Sequence, residues 1–216
     1  MYIRLNRKSS ISFSFKYEVS GKNDIIISDC LNFSKPAKGS SIKVSGTLSN
    51  TETEFNIYNH YLEKTKINGV TKEWCGDYRI GKETGKIYYC GKKGSNFLNG
   101  IYFWTFEMSN QIIEAYEVGF GRKGIYLCLW SDNKLIAIIS KKLHNKNFES
   151  SYQLFAESAD KMVLIIIAAS FWDITRYFVT ASSEEWHTLN TWQKELKNKY
   201  DPTFIPRIKA IENISG

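Results

Sequence analysis

The chain has 216 residues, of which 43 % are hydrophobic and 15 % aromatic, with three prolines and four cysteines. That composition excludes a disordered chain and a dense disulfide scaffold, and it leaves room for one sizeable core. The formal charge is +7; residues 178–216 hold five basic and five acidic side chains, so the whole excess lies in residues 1–177. A basic surface of this kind attracts phosphate, on nucleic acid or on anionic lipid.

The first residues, Met1 to Lys8, turn polar too soon for a signal peptide, and a cytoplasmic chain is expected. Phe13, Phe15, Tyr17 and Val19 then alternate with Ser12, Ser14, Lys16 and Glu18, which is the period of a half-buried strand. Further strands are predicted at 25–28, 42–48, 53–62, 71–80, 86–90, 100–108, 111–118, 124–131, 134–141 and 151–156. Turn residues separate them, as at Asn68-Gly69, Asn99-Gly100, Ser109-Asn110 and the stretch from Ser131 to Asn133. Short connections predict antiparallel hairpins, and ten or more such strands favour closure into a barrel that leaves no exposed edge.

From Met162 to Trp172 the chain carries no charge. Asp160, Lys161, Asp173 and Arg176 bound the run, which is too short for the roughly 20 residues of a membrane span. A helix apolar on every side must be buried on every side, and a curled sheet would do this. The helix is predicted over 158–177, with Ser158 and Asp160 at its start and Arg176 at its end. A second, amphipathic helix is predicted over 183–200. Ser182 and Glu185 form its capping box, Trp186, Leu189, Trp192, Leu196 and Tyr200 form one stripe, and Asp201-Pro202 ends it. Residues 203–216 read as a loosely held tail.

The segment Gly121 to Trp130, followed by Ser131 to Lys141, then Ser151 to Phe155 and then Asp160 to Tyr177, resembles the tubby-like superfamily. That superfamily includes the tubby C-terminal domain, the phospholipid scramblases and the LURP-one-related proteins. Within it, the chain is most similar to bacterial members of unassigned activity. The resemblance implies an antiparallel meander closed into a barrel over residues 1–177, around a central helix, with 178–216 as an addition. The family's functions range from phosphoinositide binding to links with membrane lipid and calcium. No phosphoinositide-binding motif maps onto particular residues of this sequence.

The remaining motifs have structural readings. Gly119-Phe-Gly121-Arg-Lys-Gly124 matches GxGxxG, but a strand follows where a dinucleotide site needs a helix, so it reads as a glycine-rich hairpin. His60, His144 and His187 lie far apart, and Cys30, Cys75, Cys90 and Cys128 have no metal-ligand spacing; the cysteines read as buried free thiols. No paired carboxylates, calcium loop or nucleophile elbow is present. No catalytic residue, metal or cofactor is therefore predicted.

The basic residues carry the functional expectation. Lys92 and Lys93 are placed on one hairpin tip, Arg122 and Lys123 on another, with Lys141, Lys142 and Lys146 beyond a later strand. Gathered at one end of a barrel they would bind an anion, and the expected function is a non-enzymatic module for anionic phospholipid headgroups at the inner membrane face. The alternative is a protein-interaction or structural domain that uses Trp186 and Trp192 on the second helix. The aromatics read as core, so nucleic acid is not expected as a partner.

Overall fold

Alternating side chains build one large antiparallel sheet, and a computed structural model describes it over residues 1–9, 15–21, 26–34, 41–58, 61–94, 100–109, 111–141, 150–177 and 189–213. The strands are β1 (Tyr2–Ser9), β2 (Phe15–Ser20), β3 (Ile26–Ser34), β4 (Ile42–Leu48), β5 (Thr51–Ile57), β6 (Lys64–Ile67) and β7 (Val70–Ile80). They continue as β8 (Glu83–Lys93), β9 (Gly100–Met108), β10 (Gln111–Gly119), β11 (Ile125–Ser131), β12 (Lys134–Lys141) and β13 (Ser150–Ala156). Helices α1 (Met162–Tyr177), α2 (Lys194–Lys197) and α3 (Phe204–Glu212) follow.

The strand order is β5-β4-β3-β2-β1-β13-β12-β11-β10-β9-β8-β7-β6, a meander in which β1 sits between β2 and β13. In addition, β5 pairs antiparallel with β7, from Thr53 opposite Ile80 to Ile57 opposite Gly76. Tight turns set the register: Ser49 and Asn50, Asn68 and Gly69, and Asp132 and Asn133 all have positive φ, the geometry that matches hairpin twist. Gly76 lets the β5–β7 pairing form, since a Cβ there would lie 2.4 Å from the Asn56 carbonyl oxygen.

Helix α1 packs against the inner face of this sheet. Every residue from Leu164 to Ile174 is buried, which is three turns with no exposed side. Its partners are the inward positions of many strands, among them Leu5, Tyr17, Phe55, Ile87, Trp104, Phe106, Leu127 and Ile139. Phe171 sits edge-on to both Trp104 and Phe106. Among the described residues no helix is long and apolar enough to cross a membrane.

The helix begins at Met162 rather than at 158, and the fifth strand runs from Thr51 to Ile57 rather than from 53 to 62. The largest corrections are at the C-terminal end. Of the helix predicted over 183–200, residues 183–188 lie outside the described residues, and the described part holds a single turn, α2, preceded by an extended stretch in which Asn190 bridges to Phe120. Its capping box, Ser182 and Glu185, lies outside the described residues. The expected loose tail contains α3, whose Phe204 and Ile208 are buried against Tyr2, Val118, Cys128, Leu135, Ile138 and Phe155 on the outer face of the sheet. Pro206 is tolerated because the first turn of a helix has no use for its missing N–H. The αL residue Asn213 (φ 50°) ends the helix.

Candidate functional site

All pairings are antiparallel, so the β6–β7, β8–β9, β10–β11 and β12–β13 junctions fall at one end of the sheet, where α1 also finishes. Two groups of polar residues gather there, one buried and one open.

The buried group forms around Asp173 of α1. Strand β1 presents Ile3, Leu5 and Arg7 inward in turn, so a guanidinium occupies a position where the pattern calls for an apolar side chain. Arg7 Nη1 donates to Asp173 Oδ2 at 2.8 Å, and Tyr17, its cross-strand neighbour, donates to the same oxygen at 2.7 Å. Tyr152 donates to Oδ1, and Lys141 Nζ donates to the Tyr152 hydroxyl at 3.0 Å. All five residues are 4 % exposed or less. Burial and the adjoining Asp173 charge hold Tyr17 and Tyr152 well above the usual phenol range. The geometry fixes the end of α1 to β1, β2, β12 and β13, and it presents no face to a substrate.

Lys141 was expected on an open anion site; it is instead part of this buried group. Burial pushes its ammonium down to about 8, against the opposing pull of Asp173. The unfolded chain therefore holds this proton more tightly than the folded chain, and below pH 8 the charged form costs stability. As pH rises through the folded value toward the ordinary 10.5, the folded form sheds the proton first and the cost is relieved. Relative to Lys141→Met, the native chain is expected to gain about 2–3 kcal/mol of unfolding free energy between about pH 7 and pH 10. Parallel denaturation series across that range check this, and two parallel curves would place Lys141 in solvent.

The open group lies on the inner face of β6–β9, beyond the end of α1. Lys64 and Lys66 from β6, and Lys93 from β8, line a groove of about 920 Å³ together with Glu73, Tyr89 and Tyr102, while Lys92, at its edge, shares a row with Ile67, Val70 and Ile101 and faces the other side of the sheet. Cross-strand register places Lys66, Thr71, Gly91 and Tyr102 in one row, and Lys64, Glu73 and Tyr89 in the row next to it. The ring of Tyr102 lies parallel to that of Tyr89 at 5.8 Å, and Tyr89 lies parallel to Tyr61 at 6.3 Å. Gly91 and Gly100 make room for it, since a Cβ at either would come within 3.1 Å of the Tyr102 side chain. Lys64 pairs with Glu73 at 2.6 Å and Lys92 with Glu195 at 3.4 Å. Lys64, Lys66 and Lys93 line this face with one glutamate, so its lining is basic.

The predicted basic residues thus separate. Lys92 and Lys93 sit at the end of β8, where Lys93 joins Lys64 and Lys66, two residues sequence reasoning passed over, and Lys92 faces the other side toward Glu195. Arg122 and Lys123 are exposed on a 3-10 turn between β10 and β11, two to three strand spacings away, or about 10–14 Å. Lys142, Lys146, Trp186 and the three histidines lie outside the described residues. Trp192 is 82 % exposed.

The GxGxxG stretch binds the chain itself. Gly121 N–H donates to the Leu189 carbonyl at 2.8 Å, Thr191 N–H to the Gly119 carbonyl at 2.9 Å, and Gly119 N–H to Thr191 Oγ1 at 2.9 Å. A Cβ on Gly119 would lie 2.2 Å from the Leu189 oxygen. Strands flank the turn on both sides, as a hairpin requires. Cys75, Cys90 and Cys128 are buried and unbridged; burial pushes the first two thiols up to about 12 and about 11. Among the described residues no cluster of three or more His, Cys, Asp or Glu is placed to hold a metal.

No protein-family model matches the chain, and no curated protein and no solved structure shows significant similarity to it.

Proposed function

We propose that this chain is a non-enzymatic binding module for the phosphate-bearing headgroups of anionic membrane lipids, acting from the inner face of the membrane. The observation that carries this reading is the groove in which Lys64, Lys66 and Lys93 line up beside Tyr89 and Tyr102, with Lys92 at its edge. Each lysine brought near an anionic surface contributes roughly 1 kcal/mol; with Lys64 and Lys92 opposed by Glu73 and Glu195, the set supplies about one to two orders of magnitude in affinity. We also infer a tubby-like architecture, with the sheet closed around α1. The β5–β7 pairing and the all-round burial of α1 support it.

Co-sedimentation with phosphatidylserine-rich and pure phosphatidylcholine vesicles, at low and high salt, tests the function. Binding is expected on the anionic vesicles alone and should fall steeply as salt rises. Charge reversal by Lys66→Glu with Lys93→Glu should weaken it about 100-fold or more, two lysines lost and two repulsions gained. Equal binding to both vesicle types, or an unaffected double variant, would overturn the reading.

A further inference from the structure

The rim of the basic groove is apolar. Among the described residues seven large hydrophobic side chains are exposed; Tyr102 lines the groove, and Tyr61, Leu62, Ile67 and Trp192 belong to segments that flank it at the same end of the sheet. They come from three separate stretches of chain. Tyr61 and Leu62 precede β6, and the Leu62 N–H bonds the Trp74 carbonyl of β7. Ile67 opens the β6–β7 turn opposite Val70, which is itself opposite Lys92. Tyr102 stands over Gly91 and Gly100. Trp192 is brought in by its neighbour Gln193, whose side-chain amide donates to the Gly100 carbonyl at 2.9 Å, where Gly100 pairs with Lys93. Glu195, pairing with Lys92, pins the same segment.

Solvent-facing apolar side chains normally scatter singly over a surface; here they collect where the lysines collect. Tryptophan and tyrosine prefer the membrane–water interface, and an apolar patch edged with lysine matches a bilayer carrying anionic headgroups in charge as well as in polarity. Resting on the lipid-headgroup reading, we propose that this end of the sheet docks edge-on to the bilayer, with Trp192, Leu62, Ile67, Tyr61 and Tyr102 entering the interfacial layer while the lysines meet headgroup phosphate. The C-terminal segment thereby takes part in binding, because it supplies Trp192. The groove lysines make the salt-sensitive part of the affinity, and the rim makes a salt-insensitive part.

The two parts are separable by experiment. Fluorescence of the full chain is recorded on phosphatidylserine-containing vesicles whose acyl chains are brominated near the headgroup, and Trp192→Phe identifies the Trp192 share of the signal. Quenching that disappears in Trp192→Phe is expected. At high salt, Leu62→Ser with Ile67→Ser should lower binding about 100-fold while leaving the salt slope unchanged. Because these side chains are already in solvent, the variants should melt as the native chain does, which a melting curve verifies. Salt-sensitive vesicle binding with no Trp192 quenching and unaffected rim variants would overturn the insertion and leave headgroup binding standing. Trp192 quenching on purely zwitterionic vesicles, with no anionic preference, would uphold the insertion and overturn the headgroup reading. Retention of single-stranded nucleic acid with no vesicle binding under any condition would overturn both.

Discussion

Asp173→Ala is expected to lower stability by about 3–5 kcal/mol, because it strands the Arg7 guanidinium in a site with almost no access to water. Three donors lose their acceptor at once: Arg7, Tyr17 and Tyr152 all converge on this carboxylate. A loss of that size is a large fraction of a typical domain's 5–15 kcal/mol, roughly, and chemical denaturation will read it directly. The double variant Arg7→Met with Asp173→Leu should recover much of the loss, since the guanidinium is then removed together with its partner and only the Lys141 amine, already pushed down to about 8, is left buried. If the double variant is no more stable than Asp173→Ala, the tyrosine hydroxyls and not the ion pair dominate the site. A native-like Asp173→Ala would show that water reaches Arg7 and that the cluster is not dry.

Ile166→Asp should have the larger effect. Ile166 is fully buried near the middle of α1 as part of the main apolar core. A carboxylate there costs several kcal/mol whether it stays ionised or takes up a proton, enough to unfold a marginal domain. Loss of the cooperative melting transition is the expected readout. Ile166→Val, which removes one methyl group, should cost only about 1 kcal/mol and keep the transition. A soluble Ile166→Asp with an unchanged melting curve would mean that α1 is not enclosed.

Much of the sheet is legible in the sequence because one of its faces is apolar and the other polar. Strands at 42–48, 100–108 and 134–141 have the bounds that alternation assigns them. Strand β1 escapes the same reasoning because its third inward position is Arg7, which breaks the apolar stripe after Ile3 and Leu5. Strand β6 escapes because four residues, Lys64 to Ile67, carry too little pattern. At the C-terminal end, helical spacing from Leu189 to Tyr200 is overridden by tertiary pairing. The backbone at Leu189 and Thr191 bonds the Gly119–Gly121 turn, which a helix could not do.

The candidate site is less legible for a related reason. Lys92 and Lys93 stand out as a pair, but Lys64 and Lys66 become their neighbours only through β7, whose residues Val70 to Glu73 lie between them. Lys141 looks in sequence like the other lysines near it, yet its strand points it inward beside Tyr152. The signal that could have located the buried cluster is a pair of opposite charges, Arg7 and Asp173, each on a core-facing position. Neither could be buried without the other.

The position of β1 between β2 and β13 governs how the chain reaches its native state. The first strand cannot complete its pairing until residues 150–156 exist, and α1, which covers the inner face, comes later still. A nascent chain that has reached Lys141 holds most of its strands with Tyr17, Phe55, Phe106 and Leu127 still uncovered. Such long-range order slows folding and prolongs the exposure of sticky intermediates. Fragments that stop short of Tyr177 are therefore expected to aggregate rather than form a smaller stable unit, since the core that α1 covers is left open.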